Sequence, residues 1–168
     1  MDNSLENNTK FKEKLILFYN NNKYKIYLFM FVLLISIISI IAFNILKKKE
    51  NNLMAEKYVQ AGLYLASNNN KEAKNLYEEI INSKNKFYSI LALNLIIEKN
   101  LITDQKKILD YFQLLEKINY SKDKIDLIKL KKALYLIKFG DKNSGNNILK
   151  NLVKENSTIG KISKQILE

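Results

Sequence analysis

The chain has 168 residues, and its 28 basic residues, every one a lysine, outnumber 17 acids for a net charge of +11. Proline, cysteine, histidine and tryptophan are missing, and glycine occurs only four times. These absences exclude disulfides, thiolate nucleophiles, histidine bases and triads, and zinc sites built on nitrogen and sulfur, and the scattered glycines make no phosphate-binding loop.

A short charged tail, residues 1–25, leads into 21 residues without a charge, Ile26 to Leu46, interrupted only by Ser36, Ser39 and Asn44. A helix of that length is about 30 Å long, the thickness of a bilayer's hydrocarbon core, which predicts a transmembrane helix. Isolated serines satisfy their hydroxyls on carbonyls of the preceding turn, so lipid tolerates them. The apolar stretch exceeds that of a cleaved signal peptide, and Lys47, Lys48, Lys49 and Glu50 follow it instead of a small-residue cleavage site. The reading is a retained anchor. Its direction is not encoded in charge: Lys12, Lys14, Lys23 and Lys25 on one side balance Lys47, Lys48, Lys49 and Lys57 on the other.

Residues 53–168 read as helices separated by polar turns at 67–71, 82–85, 98–104, 119–123, 139–145 and 154–158. The expected apolar positions are Leu53, Tyr58, Ala61, Tyr64 and Leu65 in the first helix, then Ala73, Leu76, Tyr77 and Ile80 in the second. Phe87, Ile90, Leu91 and Leu95 mark the third, and Ile108, Tyr111, Phe112 and Leu115 the fourth. Ile125, Ile128, Ala133 and Leu136 follow in the fifth, with Ile148, Leu149, Leu152 and Val153 in the sixth. A last short helix is expected after Ser157 as its N-cap, with Ile162 and Ile166 on one face. No strand signal is present, so the fold class is all-α. The lysines are interspersed with acids along these helices and there is no arginine, which reads as a solvated surface and not as a nucleic-acid interface. Lys47 to Lys49 can also sit against anionic headgroups.

The helix pairs repeat. Ala61, Tyr64, Ala73, Tyr77 and Ile80 have offsets 0, 3, 12, 16 and 19; from Ala133 the same offsets meet Leu136, Gly145, Leu149 and Leu152. From Ala92 they meet Leu95, Asp104, Ile108 and Tyr111, so the middle copy breaks at Asp104. Small residues at close helix crossings with large ones filling the gaps is tetratricopeptide spacing. The reading is about three such hairpins plus a short C-terminal helix, with a generic helical bundle as the alternative.

Three stretches carry a resemblance: FYNNNKYKI before the apolar run, NKFYSILALNLIIEKNLI at 85–102, and LIKFGDKNSG at 136–145, where Gly145 stands in place of an alanine. Together with the tail–anchor–repeat order, the chain resembles the YfgM-like ancillary subunits of the Sec translocon. The resemblance implies a single-pass protein of the bacterial inner membrane, with a cytoplasmic N-terminus and a periplasmic repeat domain. It implies the SecYEG channel and a membrane-anchored periplasmic chaperone as partners, a role in assisting newly translocated envelope proteins, and no catalytic activity. No cofactor, metal, nucleic acid or small-molecule substrate is expected, and the bilayer is a partner through residues 26–46. The other reading of the same features is a repeat scaffold for another envelope complex, in outer-membrane assembly or division.

Repeat domains bind through the groove lined by the first helix of each pair. The offsets place Tyr58, Gly62 and Leu65 there from the first copy, Ser89, Leu93 and Ile96 from the second, and Leu130, Leu134 and Ile137 from the third. That row is mostly apolar and suits an unfolded or hydrophobic segment. The competing reading makes several of these residues core.

Overall fold

A computed structural model of the chain describes residues 3–168, with side chains at all of them except 3–11 and 15. The described residues form seven helices and no strand: α1 (Asn3–Ala66), α2 (Asn70–Asn82), α3 (Tyr88–Glu98), α4 (Gln105–Glu116), α5 (Lys122–Lys138), α6 (Lys142–Lys154) and α7 (Gly160–Leu167). The chain divides into two compact units, Met1–Glu50 and Asn51–Glu168.

Within the first unit the side chains from Tyr27 to Leu46 are exposed, and nearly all are apolar. An 18-residue window reaches a mean hydropathy of 2.9, and α1 is the one helix among the described residues long and apolar enough to cross a membrane. Ser36 and Ser39 donate to the carbonyls of Val32 and Ile35, each at 2.9 Å, so neither hydroxyl is left without a partner. The Lys23 ammonium lies 5.5 Å from the Tyr24 ring and that of Lys47 4.9 Å from the Phe43 ring. Cationic heads with aromatic neighbours at both ends of an apolar run suit the two polar boundaries of a bilayer.

In the second unit helices α2 to α7 pack in chain order, with α5 against α6 the most extensive pairing. Residues 53–66 contribute Met54 and Ala61 to a core shared with Tyr77, Ile80, Ile96, Ile108, Phe112 and Ile128. A second cluster of Leu130, Ala133, Leu149 and Leu152 holds α5 to α6. Several expected core positions are exposed: Leu53, Phe87, Ile162 and Ile166. For α7 the reason is steric. It buries Gly160 and Ser163, and a Cβ on Gly160 would stand 3.2 Å from the Leu152 carbonyl, so the small face makes the contact and the isoleucines are left outside.

The turns explain which hairpins match. Asn68, seven residues after Ala61, and Gly140, seven after Ala133, both have left-handed backbone, with φ of 59° and 101°. Each is followed by an N-cap: the Asn69 side chain accepts from the Glu72 N–H at 3.5 Å, and that of Asp141 from the Ser144 N–H at 3.1 Å. Four residues on come the buried Ala73 and Gly145. In the middle hairpin the left-handed residue is Asn100, eight after Ala92, and three more residues pass before Asp104 caps α4 through the N–H groups of Lys106 and Lys107. The fourth helix therefore starts about one turn late, and offset 12 falls on its cap. Ile108 and Tyr111, at offsets 16 and 19, are buried nonetheless. Asparagine serves at Asn68, Asn100 and Asn156 because its short polar side chain tolerates the left-handed region better than other non-glycine residues.

Ser157 does not cap α7, whose N-cap is Ile159. Its hydroxyl donates to Asp126 Oδ2 at 2.6 Å and accepts from the Ile159 N–H at 3.3 Å. Asp126 is nearly fully buried on α5, so this bond ties the α6–α7 turn to the helix two elements back.

Candidate functional site

A cleft of about 260 Å³ opens between α3 and α5. Asn94, Ile97 and Glu98 form one wall, Lys131, Leu134, Tyr135 and Lys138 the other, and Phe112 of α4 lies between them. Helical spacing brings these together: 94, 97 and 98 share one face of α3, while 131, 134, 135 and 138 run along two turns of α5. Aromatic packing holds the α5 wall, with the Tyr135 ring 5.9 Å from Phe112 and 4.5 Å from Phe139.

The polar groups are unevenly matched. Lys131 Nζ donates to Asn94 Oδ1 at 2.8 Å, a neutral partner for a charged donor. Burial holds its ammonium below the usual 10.5, because desolvation disfavours the charged form. The Lys138 ammonium lies 5.6 Å from the Phe139 ring. Lys57, Lys107, Lys129 and Lys132 each pair with a glutamate (Glu79, Glu78, Glu155 and Glu116). Among the described residues no carboxylate lies within 4 Å of Lys131 or Lys138, and Glu98 is paired with its neighbour Lys99 at 3.0 Å. Burial raises the Tyr135 phenol, with the Asp104 carboxylate adding to the effect, so it stays a neutral donor. The cleft offers an apolar wall, two ammonium groups, the Glu98 carboxylate at its edge, an amide and a phenol, which is equipment for holding a chain segment. Among the described residues no three acids gather as metal ligands.

Of the nine groove positions named from the sequence, Ser89, Leu93, Ile96 and Leu130 are buried in the core. Ser89 donates to the Ile80 carbonyl at 2.8 Å, because α3 packs against α2 as well as α4 and buries a wider face than one partner would cover. Tyr58 is half-buried in an aromatic cluster, 5.7 Å from Tyr77 and 5.6 Å from Tyr88. Leu65 packs against the core, and Ile137 lies under Gly145. Gly62 faces open space but presents no side chain. Leu134 alone is exposed and lines the cleft. The α3 wall is displaced by one position, to Asn94 and Ile97. One signal was available: Asn94 is the only amide inside the apolar run SILALNLII.

Comparison with known proteins finds no match to this chain, whether among family models, curated proteins or solved structures.

Proposed function

We propose that this protein is a membrane-anchored protein–protein interaction module, an ancillary subunit of the Sec translocon that assists newly translocated envelope proteins. The observation that carries the binding role is the cleft between α3 and α5, walled by Ile97, Leu134 and Phe112 and open to solvent. The equivalent turns at Asn68–Ala73 and Gly140–Gly145 support a tetratricopeptide-like reading of the helix pairs. The apolar stretch of α1 supports an inner-membrane anchor, which confines the binding domain to a surface where local concentration replaces tight affinity. The Sec assignment, the cytoplasmic N-terminus and the periplasmic domain rest on the resemblance of the local sequences.

The test is photo-crosslinking in cells from position 134, read by mass spectrometry. Recovery of SecY is the expected outcome; its consistent absence, with other envelope proteins in its place, rejects the Sec role. With the crosslinker moved to position 138 on the same wall, Leu134→Glu should abolish the crosslinked product with helical circular dichroism unchanged. Degradation of the C-terminal domain in spheroplasts exposed to protease is expected, and its full protection would reverse the topology.

A further inference from the structure

We infer that the occupant of the α3–α5 cleft is an extended polypeptide segment carrying two acidic side chains three residues apart beside an apolar one, with Lys131 and Lys138 receiving the carboxylates. The inference rests on the binding role proposed above and specifies the partner's chemistry.

Three observations carry it. First, Lys131 and Lys138 line a cleft that holds one carboxylate, the exposed Glu98, which pairs with Lys99 at 3.0 Å and with neither of them, so both ammonium groups are without an ion-pair partner among the described residues. A half-buried ammonium held only by the Asn94 amide is an incomplete site, and a carboxylate is the group that completes it. Second, the two lysines are seven residues apart on α5, which places them on one face about 10 Å apart along the axis. An extended segment in the polyproline II conformation has three residues per turn and advances about 3.1 Å per residue, so side chains three residues apart lie on one face and span about 9 Å, nearly the same distance. Third, Leu134 lies midway between the lysines and faces Ile97 across the cleft, an apolar contact at the centre of the span. A single terminal carboxylate would use one lysine and leave the other unmatched.

The experiment uses the full chain in lipid nanodiscs and fluorescently labelled peptides of about a dozen residues, blocked at both ends, with binding read by anisotropy. A peptide with glutamates three positions apart around leucine should bind about tenfold or more tightly than its glutamine counterpart. Moving the glutamates to adjacent positions should forfeit most of that gain. Lys131→Gln and the more exposed Lys138→Gln should each weaken the glutamate peptide severalfold more than the glutamine peptide, and an equal loss for both peptides overturns the inference. Equal binding of the two peptides overturns the inference while leaving the cleft as a binding site, provided Leu134→Glu still abolishes both. Binding of the glutamine peptide only when its C-terminus is a free carboxylate overturns it in favour of a chain terminus. Peptide binding that Leu134→Glu does not change, or no binding of any peptide, overturns the cleft reading together with the inference.

Discussion

Gly145→Ala is the sharpest test of the helix crossing at the centre of the third hairpin. Alanine is the better helix former by about 1 kcal/mol. The structure argues against it. A Cβ at Gly145 would stand 2.7 Å from the Ala133 carbonyl oxygen and 2.6 Å from Ile137 Cγ1. The isoleucine can turn; the carbonyl belongs to the α5 backbone and cannot move without the helix. Overpacking costs about 1–3 kcal/mol, and with a backbone carbonyl as the obstacle the upper part of that range, about 2–3 kcal/mol, applies, which the propensity gain of about 1 kcal/mol only partly offsets. A net loss of about 1–2 kcal/mol is expected, or about 4–8 °C in Tm for a domain of this size. Gly62→Ala is the matched control, since a Cβ there meets nothing within 4 Å and only the propensity gain remains. Thermal melts of the full chain in detergent, followed by tyrosine near-ultraviolet circular dichroism, should move in opposite directions for the two variants. Adding Ile137→Val to Gly145→Ala should restore little of the loss, because valine keeps both γ carbons and the carbonyl contact persists. A Gly145→Ala protein that melts at or above the parent would show that α5 and α6 cross more loosely than these distances require.

Three further outcomes follow from single groups. Ser157→Ala removes the bond to the buried Asp126 carboxylate and should cost about 1.5–3 kcal/mol in the same melts; a change below about 0.5 kcal/mol would contradict the geometry. Tyr77→Phe should be neutral or stabilising, because the Tyr77 hydroxyl is buried without a partner. Burial pushes that phenol from its ordinary 10.0 to about 12. Between 10 and 12 the unfolded phenol ionises while the folded one does not, so stability is unaffected below 10 and falls as pH climbs toward 12, and Tyr77→Phe should shift alkaline unfolding upward in a pH titration. Asp141 is held below its ordinary 3.8 by hydrogen bonds from Ser144, first from the hydroxyl and then from the N–H. Its contribution is therefore full above about pH 4 and lost as pH falls through the folded value; Asp141→Asn should flatten Tm against pH in that range, and an unchanged acid profile would count against the cap.

The sequence by itself determined the apolar span, the all-helical class and most of the turns, because each rests on local signals. A run of 21 uncharged residues is by composition alone a helix long and apolar enough to cross a bilayer, and the polar clusters at 67–71 and 139–145 carry their own left-handed and capping residues. The likeness of the turns at Asn68–Ala73 and Gly140–Gly145 was also legible, since it depends on offsets within a single pair. Tertiary packing alone decided the cleft. Offsets within a pair say which residues point toward the partner helix, but Ser89, Leu93 and Ile96 are buried by a second neighbour, α2, which no local pattern records. The late start of α4 belongs to the same class: Asp104 reads as a broken repeat until the structure shows it capping a helix displaced by a turn. Asn94, Lys131 and Lys138 are distant or unremarkable in the chain, and only the approach of α3 to α5 makes them one site. Burial and charge matching are properties of neighbours in space, and a sequence lists neighbours along the chain.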